Sequence, residues 1–164
     1  MDIWRSSVGS ARKRPDRAIE IATRAGVELK IAAKVDKVDM AYFEDVICPL
    51  LRDPRVEFVG EVSDCEKQAF LAGATALLFP IDWPEPFGLV QIEAMACGTP
   101  VIAWRRGSVP EVIEHGQTGF MLPGHTTEEA VHNAASFKPS IKSNEAVHLW
   151  CKYATPSSSA ISSV

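Results

Sequence analysis

The chain has 164 residues, 17 Lys and Arg against 21 Asp and Glu for a formal charge of −4, and 46% hydrophobic residues. That balance excludes the broad basic field of a nucleic-acid binder and supplies apolar material for one core but not for two full domains. No apolar run reaches the roughly 18 residues of a membrane span, and Met1 to Ser7 lack the apolar segment of a secretory leader, so a cytoplasmic protein is expected.

Residues 1–14 show neither a helical nor an alternating period and are expected to form an irregular N-terminal segment. Residues 15–135 alternate helix and strand patterns. Pro15 suits a first helical turn, Ala18, Ile19, Ala22 and Ala25 recur on one face, and Gly26 stops that helix. Residues 29–35 read as a strand and 40–51 as an amphipathic helix. Residues 55–59 form a short strand closed by Gly60, and Asp64 is the expected N-cap of a helix through Ala72. The apolar run 75–79 is a strand, 87–96 a helix, 99–104 a strand, 109–115 a short helix and 119–122 a last strand. From Ser136 to Val164 the chain turns Ser-rich and is expected to be poorly structured.

Strands that are apolar throughout, alternating with helices, indicate a parallel sheet covered on both faces: a doubly wound, Rossmann-like α/β domain. Ligands of such sheets sit outside the carboxyl ends of the strands. Cys48, Cys65, Cys97 and Cys151 contain no CxxC pair, and the four histidines do not cluster around them, so packing cysteines and no metal site are expected.

The run from Pro84 to Ala103 places Glu85 and Glu93 in the most apolar part of the chain. The helix over 87–96 has only Gln91 and Glu93 as polar side chains, so Glu93 is expected to be enclosed and in need of a donor, while Glu85 stands in the entry loop. Gly88 permits close approach to the backbone, and the free N–H groups of the first turn favour an anion. A ligand that combines hydroxyls with phosphates satisfies both features. The Arg12-Lys13-Arg14 cluster is the candidate cation for that anion, or else a solvated charge run. Arg105 and Arg106 follow a strand at the same edge, although Gly107, Ser108 and Pro110 equally suit a turn that opens a helix. Trp83 and Phe87 read as packing residues or as a stacking surface for a sugar. Neither a P-loop nor a G-x-G-x-x-G motif occurs, which argues against common nucleotide and dinucleotide sites.

These residues resemble the nucleotide-sugar-binding, C-terminal domain of the group 1 retaining glycosyltransferases, which have GT-B architecture. The similarity runs from about Lys13 to Leu122. It is strongest in Glu85-Pro86-Phe87-Gly88-Leu89 through Glu93 to Val101, the family's E-x7-E pattern, and extends to Val59-Gly60, Arg106 to Glu111 and His115 to Phe120. The resemblance implies that Glu85 contacts the donor hexose and that Lys13 stabilises the leaving diphosphate. It also implies that the amides of Phe87, Gly88 and Leu89 meet sugar and phosphates, that Glu93 takes the ribose hydroxyls, and that Gly60 and Val62 lie by the base. Hexosyl transfer would be retaining and metal-independent, with no cofactor beyond the donor. Val8 stands where the family usually has an arginine. The family's enzymes also use an N-terminal acceptor domain, so the chain is expected to be a fragment of a longer protein and inactive alone. Two other readings remain open, a non-catalytic nucleotide-sugar-binding module and a sugar-nucleotide epimerase of the same architecture.

Overall fold

The structure, a computed structural model, describes residues 3–7, 13–122 and 126–136. A single parallel sheet of six strands runs in the order β3-β2-β1-β4-β5-β6. Its strands are β1 (Ile3–Ser7), β2 (Glu28–Ala32), β3 (Val56–Gly60), β4 (Ala76–Phe79), β5 (Val101–Trp104) and β6 (Gly119–Leu122). The connecting helices are α1 (Pro15–Ala25), α2 (Met40–Tyr42), α3 (Cys48–Leu50), α4 (Asp64–Ala72), α5 (Leu89–Ala96), α6 (Val109–Val112) and α7 (Thr127–Ser136). The doubly wound class is therefore as the sequence pattern indicates.

Two corrections concern elements. Residues 1–14 are not irregular throughout, because β1 lies in the middle of the sheet, paired with β2 from Ile3 to Ser7 and with β4 at Trp4 and Arg5. Pairing on both sides makes that run a strand despite its unpatterned composition, since strand formation follows the neighbours more than intrinsic preference. The cap of α4 is Ser63 rather than Asp64. The Ser63 hydroxyl accepts from the Glu66 N–H, and the Glu66 carboxylate accepts from the Ser63 N–H at 2.9 Å, a reciprocal capping box. Residues 137–164 of the expected Ser-rich tail lie outside the described residues.

Strands β4 and β5 are buried at every position, and alternate residues serve opposite faces. Ala76, Leu78, Ile102 and Trp104 join Ala18, Ile19, Ala22 and Ala130 on one side. Leu77, Phe79, Val101 and Ala103 join Phe70, Leu71, Ala94 and Met95 on the other. Each large side chain so enclosed contributes about 1.5–3 kcal/mol, which is why both sheet faces hold. The helical stretch over 37–50 is not uniform. Phe43–Ile47 is a π-helical turn in which the Cys48 N–H reaches the carbonyl of Phe43, five residues back. Pro49 follows at once, and its ring would collide with the carbonyl of Asp45 in a regular helix; the widened turn accommodates it.

Candidate functional site at the carboxyl edge of the sheet

The chain winds outward from β1 through β2 to β3 in one direction, and from β4 through β5 to β6 in the other. The reversal falls between β1 and β4, and in this strand order the crevice outside their carboxyl ends is where a ligand fits. Among the described residues, Lys13 and Arg14 ahead of α1 and the loop from β4 to α5 bound it.

Arg14 caps α1 with φ 54° and ψ 57°, and it is the only non-glycine residue with positive φ among the described residues. That conformation costs a side-chain-bearing residue about 1–3 kcal/mol and needs anchoring. Asp16 supplies the anchor. Its carboxylate accepts from Arg14 Nε at 3.0 Å and from a terminal nitrogen at 2.8 Å, and also from the Tyr42 hydroxyl at 2.9 Å. Burial pushes the Asp16 carboxyl upward, but the guanidinium and the phenol outweigh it and leave the group below its ordinary value. Arg14 is thus already engaged. Lys13 is half-buried and forms no hydrogen bond or ion pair with a described residue, unlike Arg14. Arg12 lies outside the described residues.

The loop from β4 to α5 carries Asp82, Trp83 and Glu85. Glu85 is half-buried, and among the described residues nothing hydrogen-bonds its carboxylate. Its backbone, in contrast, is clamped. The carbonyl accepts from the Ser108 N–H at 3.0 Å, and Gly107 presses so close that a Cβ there would stand 2.4 Å from that carbonyl oxygen. Gly107 also holds φ +53°, so a side chain is excluded twice over.

Gly88 ends the loop as the N-cap of α5, at φ 65° and with no side chain capping the helix. Among the described residues the opening N–H groups of α5 meet no side-chain acceptor, and those ahead of Gln91, whose N–H donates to the Gly88 carbonyl at 2.9 Å, are the groups an anion would use. Beneath Gly88 lies Gln91, wholly enclosed, whose amide nitrogen would sit 2.0 Å from a Gly88 Cβ. Among the described residues neither end of that amide has a hydrogen-bond partner, and the enclosed Ser108 hydroxyl beside Gly88 lacks one as well. Phe87 is 59% exposed and Leu89 64%, so these apolar side chains rim the entry to α5. Trp83 packs partly into the core.

Glu93 overturns an expectation. Its side chain is 38% exposed rather than enclosed, and Lys67 of α4 donates to it at 3.0 Å. The partner is a lysine within this chain, contributed by the neighbouring helix, and hydrogen bonding to Glu93 leads the causes that raise the Lys67 pKa. Gly60 and Val62 lie farther off, at the carboxyl end of edge strand β3; Val62 packs against the α4 and α5 side of the core. The structure thus sets Lys13, Glu85 and the start of α5 around one switch point. It connects Glu93 to α4, and it leaves Gly60 two strands removed from β1. Sequence reasoning missed Asp82, which draws in Arg14 at 3.4 Å, Arg17 at 3.2 Å and Arg106 at 3.6 Å. No local pattern marks it, because its partners lie in distant segments.

Residues 9–147 match the family model described as glycosyl transferases group 1. The chain belongs to that family. Among curated relatives it is 36% identical to D-inositol 3-phosphate glycosyltransferase of Rhodococcus jostii, over 74% of this chain and 21% of the relative. It is also 36% identical to N-acetyl-alpha-D-glucosaminyl L-malate synthase of Bacillus anthracis, over 62% of this chain and 26% of the relative. The chain thus spans about a quarter or less of the length of these two relatives. Anabaena HepE, solved in complex with UDP and glucose, shares the fold with a TM-score of 0.79 at 22% identity, covering 92% of this chain and 43% of that one. Sucrose-phosphate synthase of Thermosynechococcus elongatus shares it with a TM-score of 0.73 at 24% identity, over 93% and 41%. No helix among the described residues is long and apolar enough to cross a membrane.

Proposed function

We propose that this group 1 glycosyltransferase domain binds a nucleoside diphosphate sugar and serves as the donor half of a retaining, metal-independent hexosyltransferase. The observation that carries the reading is the convergence, at the switch between β1 and β4, of Lys13, the Glu85 carboxylate and the start of α5, none of which meets a side-chain partner among the described residues. In this reading the diphosphate lies at the start of α5, against the amides of Phe87, Gly88 and Leu89, with Lys13 offsetting the charge that grows as the sugar–phosphate bond breaks. Glu85 accepts from hexose hydroxyls. Glu93 accepts from the ribose and exchanges part of its contact with Lys67 for them, and the segment from Gly60 to Val62 borders the base. The acceptor would be presented by a separate domain, as the chain's partial span of its relatives supports.

Titration calorimetry of the folded chain with UDP-glucose, GDP-mannose and ADP-glucose tests this. Saturable binding of at least one, lost in Glu85→Gln for the sugar nucleotide but kept for the free nucleoside diphosphate, is the expected result. A folded protein that gives no binding heat with any of the three ends the reading.

A further inference from the structure

We propose that Asp82 is a positioning residue. Through Arg14, Arg17 and Arg106, its carboxylate fixes the Glu85 loop relative to the α1 start that carries Lys13. The inference rests on the reading of Glu85 as the hexose contact.

Asp82 joins segments that the sequence keeps far apart. Arg14 and Arg17 open α1 behind β1, Asp82 follows β4, and Arg106 follows β5, three strands that are immediate neighbours in the sheet. The carboxylate is 34% exposed and Arg17 only 20%, so the cluster is partly withdrawn from water and is screened less than a surface pair.

The arginines of α1 do not depend on Asp82 for their own placement. Arg14 makes its shorter bonds to Asp16, and the Arg17 guanidinium lies over the Trp104 ring at 5.5 Å from its centroid. They form a socket already built from α1 and β5, and the loop docks into it by one carboxylate. Three residues further on, the same loop is gripped a second time, by the Ser108 N–H on the Glu85 carbonyl and by Gly107 against the Glu85 backbone. Arg106 immediately precedes that grip and has Asp82 as its ion-pair partner. The carboxylate therefore secures both the loop and the turn that clamps it. The Glu85 backbone is thus held three residues beyond the Asp82 anchor, while among the described residues its carboxylate has no hydrogen-bond partner, as a group meant for a ligand would be. Loss of the Asp82 charge should loosen the loop and the turn while α1 and the sheet stay in place.

The test compares the full chain with Asp82→Asn and Arg106→Gln by hydrogen exchange and by calorimetry with UDP and UDP-glucose. In Asp82→Asn, amide exchange across 82–88 and 106–109 should accelerate about tenfold or more while 15–25 keeps its protection, as local opening predicts. Affinity for UDP-glucose should fall about tenfold, with that for UDP changed less than about twofold. Arg106→Gln should reproduce the faster exchange at 106–109. Unchanged exchange over 82–88 in Asp82→Asn overturns the proposal, as does equal weakening of both ligands together with a lowered Tm, which makes the aspartate a general structural tie. If Asp82→Asn fails to fold, unchanged exchange at both segments in Arg106→Gln overturns it. An unmodified chain that binds neither nucleotide removes the donor-site reading, and the exchange experiment still decides whether Asp82 holds the loop.

Discussion

Glu93 and Lys67 show how a single ion pair divides stability from binding. Their side chains are 38% and 31% exposed, so the pair contributes between zero and about 1 kcal/mol to the fold. A carboxylate that accepts ribose hydroxyls would contribute more to binding, since hydrogen bonds to a charged group are worth about 1.5–3 kcal/mol. Glu93→Gln is therefore expected to weaken nucleotide binding by about 10- to 100-fold while moving Tm by less than about 4 °C. Lys67→Ala removes the same pair but leaves the carboxylate, so it should match the small Tm change without the loss of affinity. Calorimetry beside thermal melts separates the two, and equal affinity losses in both variants would assign Glu93 to a structural role. The spacing of Glu85 and Glu93 was legible in the sequence as two carboxylates around a helix start. The exposure of Glu93 was not, because it depends on where α4 lies; a helix that looks apolar nearly all round still presents one residue to its neighbour. Asp82 was less legible again, since Arg14 stands 68 residues away from it.

Elements were legible where composition and neighbours agree. The α1 helix begins at Pro15 and ends at Ala25 before Gly26, and β4 and β5 are apolar because helices cover both their faces. Disagreement arose at β1, whose Ile3-Trp4-Arg5-Ser6-Ser7 run has no strand signature and becomes a strand through β2 and β4 on either side. The start of α4 shows a finer failure. Ser63 and Asp64 are both good caps by type, and only the reciprocal partner three residues on distinguishes them, Glu66 serving Ser63. This yields a direct expectation. Ser63→Ala leaves the opening N–H groups of α4 without their side-chain acceptor and should lower Tm by about 2–4 °C, whereas Asp64→Ala should lower it by less. Thermal denaturation followed by circular dichroism reads the difference, and a larger loss from Asp64→Ala would return the cap to that residue.

Across the whole molecule, Asp16 is the point where α1, the 37–50 stretch and the edge of the crevice are tied together, through Arg14 and Tyr42. The alternation of elements made the layering legible, but this tie depends on packing between segments and was not. It also contributes to the pH dependence of stability. The Asp16 carboxyl sits below its ordinary 3.8, burial opposing the shift and Arg14 and Tyr42 prevailing. Between the folded and unfolded values the unfolded chain binds the extra proton, so this stabilisation is complete above about pH 4 and is lost as pH falls through the folded value. The Tyr42 phenol is shifted upward from its ordinary 10.0, first by burial and then by the Asp16 carboxylate. Its contribution is complete below about pH 10 and is lost as pH rises beyond it. Asp16→Asn removes the charge that serves both limbs. Near neutrality it should cost about 2 kcal/mol, the value of a charge-assisted hydrogen bond in a partly enclosed site, seen as a Tm fall of about 4–8 °C. Relative to the unmodified chain, the variant's stability should also fall less steeply from pH 4 to lower pH and from pH 10 upward. Denaturant titrations across that range measure both slopes, and parallel pH profiles for the two proteins would show that Asp16 does not couple these elements.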